Sequence, residues 1–198
     1  MRIERLCGTL CPLCGQAVPN EGPCQACRRG ETPTSFPVRA VARYVGPLRE
    51  VVLSAKPPRN EGTARRLGAL LVPLAQTLRE PARQGVIVPV PLFAARLKSR
   101  GYSLPDRLAQ TLARRLGLAY RPEWLLRRRD TPSQVGRNPE ERLQNVREAF
   151  VASGPADLTS YQIFLVDDVV TTGATLASAA APLLERGAGL CGLALARA

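Results

Sequence analysis

Apolar and polar positions change period several times along this 198-residue chain, and each change marks an element. From Val38, VRAVARYV reads as an alternating or buried strand, and PLREVVLSAK, opened by Pro47, reads as a short helix ended by KPPRNEG. Residues 63 to 79 carry helical apolar spacing with one internal proline, Pro73, which predicts a kink. GVIVPVPL predicts a strand, RGYSLPDRLAQTLARRLG an amphipathic helix, and EWLL a short strand leading into an arginine-rich loop. YQIFLVDD is the most apolar strand of all. ATLASAAAPLLERG follows it as a helix stopped by Gly187, and GLCGLALAR closes the chain as a strand.

Strands and helices alternate, so the pattern predicts an α/β fold with a parallel sheet covered by helices, and with ligands at the carboxyl ends of the strands. Residues 1 to 35 lack apolar periodicity and hold five of the six cysteines, so they stand apart as a small appendage to a domain spanning 36 to 198. A hydrophobic content of 45% with 22% charged residues fits a globular protein rather than a disordered one. No stretch approaches the roughly 20 apolar residues that span a bilayer, and the N-terminus has no secretory pattern; the expectation is a cytoplasmic protein without a membrane partner. In a reducing compartment six cysteines point to metal ligands and a buried thiol rather than to disulfides.

The formal charge of +12 attracts polyanions, but only Lys56 and Lys98 are lysines, and a general arginine bias produces the same total. Distribution narrows this. Between Arg96 and Arg147, thirteen basic residues face only Asp106, Glu123, Asp130, Glu140 and Glu141. A basic middle segment beside an acid-tipped strand suits a site for a multiply charged phosphate ligand.

Cys11-Pro-Leu-Cys14 and Cys24-Gln-Ala-Cys27 are two CxxC knuckles nine residues apart. Four thiolates at that spacing, with Gly15 and Gly22 allowing tight turns, suit a structural Zn²⁺ that supplies folding energy to a segment without a core. A closed site of this kind has no open position for catalysis. Cys7 is either a spare ligand or a small buried residue, and Cys191 reads as an inert core thiol.

IFLVDDVVTTGATL, residues 163 to 176, places Asp167 and Asp168 at a strand end, where paired carboxylates accept from vicinal hydroxyls or engage Mg²⁺. Thr171, Thr172, Gly173, Ala174 and Thr175 then offer successive backbone N–H groups and three hydroxyls at a helix N-terminus, which is a phosphate cradle. The competing account is a polar strand cap with Thr172 or Thr175 as an ordinary helix cap. GxxxxGK[ST] does not occur and no GxGxxG leads from a strand into a helix, so nucleotide-hydrolase and dinucleotide-binding loops are absent.

VDDVVTTGAT resembles the phosphoribosyl pyrophosphate signature of type I phosphoribosyltransferases. With the two knuckles, Lys56, VPVPL, Arg100-Gly101, RRRDTPSQ and RLQNVREAF, nearly the whole chain is similar to the competence protein ComF family. That resemblance implies ribose hydroxyls held at Asp167 and Asp168, a 5′-phosphate at Thr171 to Thr175, and pyrophosphate facing Lys56, Arg127 and Arg129. It also implies Mg²⁺ assistance and a lid formed by residues 128 to 142. Thr171 stands where some such transferases carry an acid that serves as general base, and the chain has no histidine to replace it. Gly101, Tyr102, Ser103 and Leu104 depart from the family's Asn and Gln after the Arg-Gly pair, whereas Gln134 and Asn145 match. Two functions follow: a phosphoribosyltransferase with an unidentified acceptor, or a competence factor that binds single-stranded DNA or a metabolite and acts with other competence proteins. Few aromatics leave little for base stacking.

Overall fold

The computed structural model describes residues 4, 6, 8–55, 61–92, 102–128 and 149–198. Cys7, Lys56, Arg100, Gly101, Arg129, Gln134 and Asn145, and all but Arg128 of the expected lid, lie outside the described residues. In chain order the elements are α1 (Gln25–Arg28), β1 (Val38–Arg43), α2 (Gly46–Ser54), α3 (Glu61–Gly68), a 3₁₀ turn (Ala69–Leu71) and α4 (Val72–Thr77). They continue with β2 (Gln84–Pro89), α5 (Leu104–Leu116), β3 (Ala119–Tyr120), a 3₁₀ turn (Pro122–Trp124), β4 (Leu125–Arg127), β5 (Phe150–Ala152), β6 (Tyr161–Val170), α6 (Ala174–Leu184) and β7 (Gly189–Arg197).

Five strands form one parallel sheet in the order β1-β7-β6-β2-β3. β6 is central, and its run Ile163-Phe164-Leu165-Val166 is fully buried because both faces are covered. Ile163 and Leu165 face the layer of α6, with Leu176, Ala179, Ala180 and Leu183. Phe164 and Val166 face α2 to α5, with Leu48, Val52, Leu67, Leu71, Leu108 and Leu112. Alternate side chains of one apolar strand thereby supply two cores.

Three sequence expectations shift. The helix over 63 to 79 splits into α3, a 3₁₀ turn and α4. Pro73 has no N–H to donate, and sits in the first turn of the new helix instead of kinking a single one. Glu123 and Trp124 belong to a 3₁₀ turn, so the strand expected at EWLL lies at Leu125–Arg127. That strand does not join the parallel sheet but pairs antiparallel with β5, in register Arg127 to Phe150, over the α6 face.

One interaction that periodicity could not show ties the first half to the central strand. Gln162, fully buried, donates to the Leu78 carbonyl at 2.6 Å and accepts from Glu80 N–H at 2.8 Å. A buried amide is tolerated here because its polar atoms are matched.

Candidate functional site

β6 continues past the two aspartates. Its pairing with β2 stops at Val166, but its ladder with β7 runs on to Val170 opposite Arg197. Asp167 and Asp168 therefore lie at the carboxyl end of β6, past its last pair with β2, while β7 still runs beside their backbone. The Asp167 carboxylate accepts from Asp168 N–H at 2.8 Å, and Asp168 accepts from Val169 N–H at 2.8 Å, which fixes both side chains against their own strand. Asp167 is 8% exposed and Asp168 is half-buried.

The turn into α6 depends on Gly173, whose φ of +88° is the left-handed conformation that side chains resist. Gly173 is the N-cap residue and supplies no side-chain cap of its own, at the positive end of the helix dipole. Thr172 Oγ1 accepts from Ala174 N–H at 3.3 Å. Thr171, Thr172, Ala174 and Thr175 are exposed and Gly173 is buried.

A cleft of about 210 Å³ opens at this edge, lined by Val90, Pro91, Leu92, Leu104, Pro105, Arg127, Asp167, Asp168, Val169 and Thr175. A small adjoining pocket of about 20 Å³ shares Asp167, Val169 and Thr175 and adds Thr171 and Gly173. The structure thus brings Asp167, Asp168, Thr171, Gly173, Thr175 and Arg127 together, leaves Thr172 and Ala174 outside the lining, and does not describe Lys56 or Arg129. Arg127 reaches the cleft from β4, its guanidinium 5.3 Å from the Phe150 ring centroid, a cation–π contact that orients the charge. Sequence patterning gave Leu104 and Pro105 only as buried positions of α5 and could not show that this first turn also walls the cleft.

The four-cysteine segment closes as its spacing predicts. The sulfurs of Cys11, Cys14, Cys24 and Cys27 lie within 4.8 Å of one another, with Cys11–Cys27 and Cys14–Cys24 at 3.6 Å. A tetrahedral zinc with bonds of about 2.3 Å needs sulfur–sulfur edges of about 3.8 Å, so the cluster could hold such an ion. Burial pushes the Cys14 thiol up to about 12 and raises Cys27 as well. For Cys11, burial is outweighed by N–H groups of Cys24, Cys14 and Leu13, which bring it to about 6.

This segment is fastened to the sheet. Val38 N–H donates to the Leu13 carbonyl at 2.6 Å, Arg197 to the Cys14 carbonyl at 2.7 Å, and Arg39 to the Cys11 and Pro12 carbonyls at 3.3 and 3.1 Å. Gly15, at φ +72°, passes so close to β1 that a Cβ would meet the Val38 oxygen at 2.3 Å. Beyond Cys27 the chain turns through Thr32, whose hydroxyl donates to the Cys27 sulfur at 3.1 Å, to the buried Thr34. Thr34 packs on the cradle: a Cβ built on Gly173 would lie 3.2 Å from its methyl group. No sequence signal marked Thr34.

A doubly covered parallel sheet, paired acids beside a glycine turn at a helix N-terminus, and four clustered thiols on the sheet edge define an α/β protein with an acid-lined cleft and a metal-capable appendage. No protein-family model matches the chain. Curated relatives do. DNA utilization protein YhgH of Escherichia coli K12 is 35% identical over 193 residues, spanning 94% of this chain and 83% of that protein. Competence protein ComFC of Bacillus subtilis is 28% identical over 193 residues, 94% of this chain and 76% of that protein. Competence protein F of Haemophilus influenzae is 32% identical over 140 residues, 69% and 61% of the respective chains. The chain belongs to the ComF family. Among the described residues no helix is long and apolar enough to cross a membrane.

Proposed function

We propose that the cleft at the end of β6 binds phosphoribosyl pyrophosphate or a related sugar phosphate, and that the chain is a phosphoribosyltransferase. The observation that carries this is the juxtaposition, in one cleft of about 210 Å³, of paired acids, a helix N-terminus and Arg127. Asp167 and Asp168 accept from the two ribose hydroxyls. Thr171, Gly173 and Thr175, with the N–H groups opening α6, hold the 5′-phosphate dianion. Arg127 faces the pyrophosphate, whose two charged ends suit a guanidinium fork. Hard carboxylate oxygens beside a phosphate site also fit Mg²⁺, with Asp168 the more open of the two; bound there with the ligand, the ion neutralises charge on the departing pyrophosphate.

In the reaction the bond from ribose C1 to the pyrophosphate oxygen breaks, the electron pair leaves with pyrophosphate, and the acceptor forms a new bond at C1 and gives up its proton. The residues contribute position and exclusion of water rather than covalent chemistry. Thr171 offers no general base, so the acceptor is one that loses its proton readily or brings it to solvent. The apolar wall of Val90, Leu92 and Leu104 favours a flat, weakly polar acceptor edge over a charged one.

The names of the relatives support placing this activity in the use or uptake of DNA. Thr171 in place of an acid favours a second reading, in which the same cleft senses a metabolite, without turnover, in a competence factor that handles single-stranded DNA. The cysteine cluster supports a structural Zn²⁺ in either case. Pyrophosphate release from phosphoribosyl pyrophosphate with Mg²⁺, screened over nucleobase and amine acceptors, separates the two. The transferase predicts turnover with at least one acceptor and its loss in Asp168→Asn; binding without release under every acceptor leaves only the sensor.

A further inference from the structure

A second groove lies away from the cleft, where α3 and α5 cross. It encloses about 390 Å³ and is lined by Arg65, Arg66, Ala69, Thr111, Arg114 and Arg115. It shares no lining residue with the cleft. Along α5, Arg114 stands ten residues beyond the cleft residue Leu104, about 15 Å at the helical rise.

All four arginines are exposed, and their mutual repulsion works against clustering them without a counter-charge. Arg65 is tied to Glu61 at 3.2 Å, and Arg114 Nε donates only weakly to the Gln110 carbonyl at 3.4 Å. Among the described residues no carboxylate pairs with Arg66, Arg114 or Arg115. Thr111, 6% exposed at the base of the groove, has a hydroxyl with no hydrogen-bond partner among the described residues. A helical threonine ordinarily bonds back to the preceding turn. Here the hydroxyl is enclosed beneath the groove, and the four guanidiniums carry the charge that faces its opening.

We propose that this groove binds the phosphodiester backbone of a nucleic-acid strand, as a site separate from the cleft. Two arginines on each of two helices, whose axes pack about 8–10 Å apart, present guanidiniums on both sides of a channel, so that it grips successive phosphates of a strand. Arginine forks engage phosphate oxygens in pairs. Among the described residues no aromatic and no amide side chain lines the groove, so they stack no base and read no base edge; binding is independent of sequence and dependent on salt.

The test is fluorescence anisotropy of a labelled oligothymidylate with the full chain across a salt series. A groove triple, Arg66→Gln, Arg114→Gln and Arg115→Gln, is compared with a control triple, Arg29→Gln, Arg43→Gln and Arg49→Gln, which removes equal charge from exposed positions elsewhere. The groove triple loses about tenfold in affinity, and its salt slope falls by about 2, since each single-strand phosphate contact contributes about 0.7. The control triple changes affinity by less than about twofold. Glutamine keeps helix propensity, and an unchanged unfolding temperature confirms that both variants fold. Both also keep the thermal shift produced by phosphoribosyl pyrophosphate, so failure here is distinct from failure at the cleft. Equal losses in the two triples, an unchanged groove triple, or displacement of the oligonucleotide by inorganic pyrophosphate at equal phosphate concentration each overturns the proposal.

Discussion

The four-cysteine segment and the acid–threonine cleft are built in opposite ways. The first assembles its chemistry from seventeen consecutive residues, Cys11 to Cys27, whose two knuckles meet around one point. The second draws Asp167 and Asp168 from β6, Thr171 to Thr175 from the turn into α6, Arg127 from β4, and Leu104 from α5. A local site is specified by spacing and fails as a unit when its ion is lost; a distributed site fails by degrees, one contact at a time. The two meet where Thr34 and Pro33 pack against Gly173, and the contact with Thr34 tests whether they are independent.

The largest expected effect comes from breaking the local site. Cys14→Ser leaves three sulfurs and a buried hydroxyl, and we expect loss of bound zinc and a fall in unfolding midpoint of roughly 10 °C, for a loss of about 3 kcal/mol in a chain of this size. Calorimetry with metal analysis checks this. If Thr34 transmits the change, the stripped protein also binds phosphoribosyl pyrophosphate more weakly; unchanged affinity separates the two regions.

Next in size is Asp168→Asn, expected to weaken binding of phosphoribosyl pyrophosphate by about 100-fold, since a charged hydrogen bond to a ribose hydroxyl is worth roughly 1.5–3 kcal/mol. The midpoint stays within about 2 °C, because Asp168 carries no core packing. Gly173→Ala combines both regions. A residue with a Cβ is strained at φ +88° and presses on Thr34, which predicts a loss of about 1–2 kcal/mol in stability together with weaker binding of ribose 5-phosphate. Arg127→Gln is smaller and selective: about tenfold for phosphoribosyl pyrophosphate and almost nothing for ribose 5-phosphate, which lacks the pyrophosphate.

The smallest effect is a pH trend in the cysteine segment alone. Metal binding requires thiolates, and the Cys14 thiol, pushed up to about 12 by burial, is protonated in the metal-free protein at neutral pH. Binding therefore releases protons, so zinc affinity rises with pH and falls as the solution is acidified. A chelator titration at several pH values reads the slope; binding at the cleft follows the phosphate instead.

The apolar run of β6, the alternation of elements and the cysteine spacing were legible because each is a short-range pattern with one physical meaning. The acid pair and the glycine turn were legible for the same reason, as neighbours in sequence. Arg127 came into view through the family resemblance, since patterning assigns β4 no partner; its place depends on the pairing with Phe150, twenty-three residues on, across a segment with no periodicity. Thr34 was invisible because its role depends on how the appendage is pinned by Arg39 and Arg197, two surface charges in any reading of sequence alone. The mis-set strand at EWLL has a local cause: Pro122 starts a 3₁₀ turn that consumes Glu123 and Trp124.

The central claim is that the end of β6 and the turn into α6 form one sugar-phosphate site. Titration calorimetry of phosphoribosyl pyrophosphate with Mg²⁺ into the zinc-loaded full chain, beside Asp168→Asn, tests it most directly. The account predicts one site per chain and a loss of about 100-fold in the variant. Equal binding by both proteins, or none by either, contradicts it.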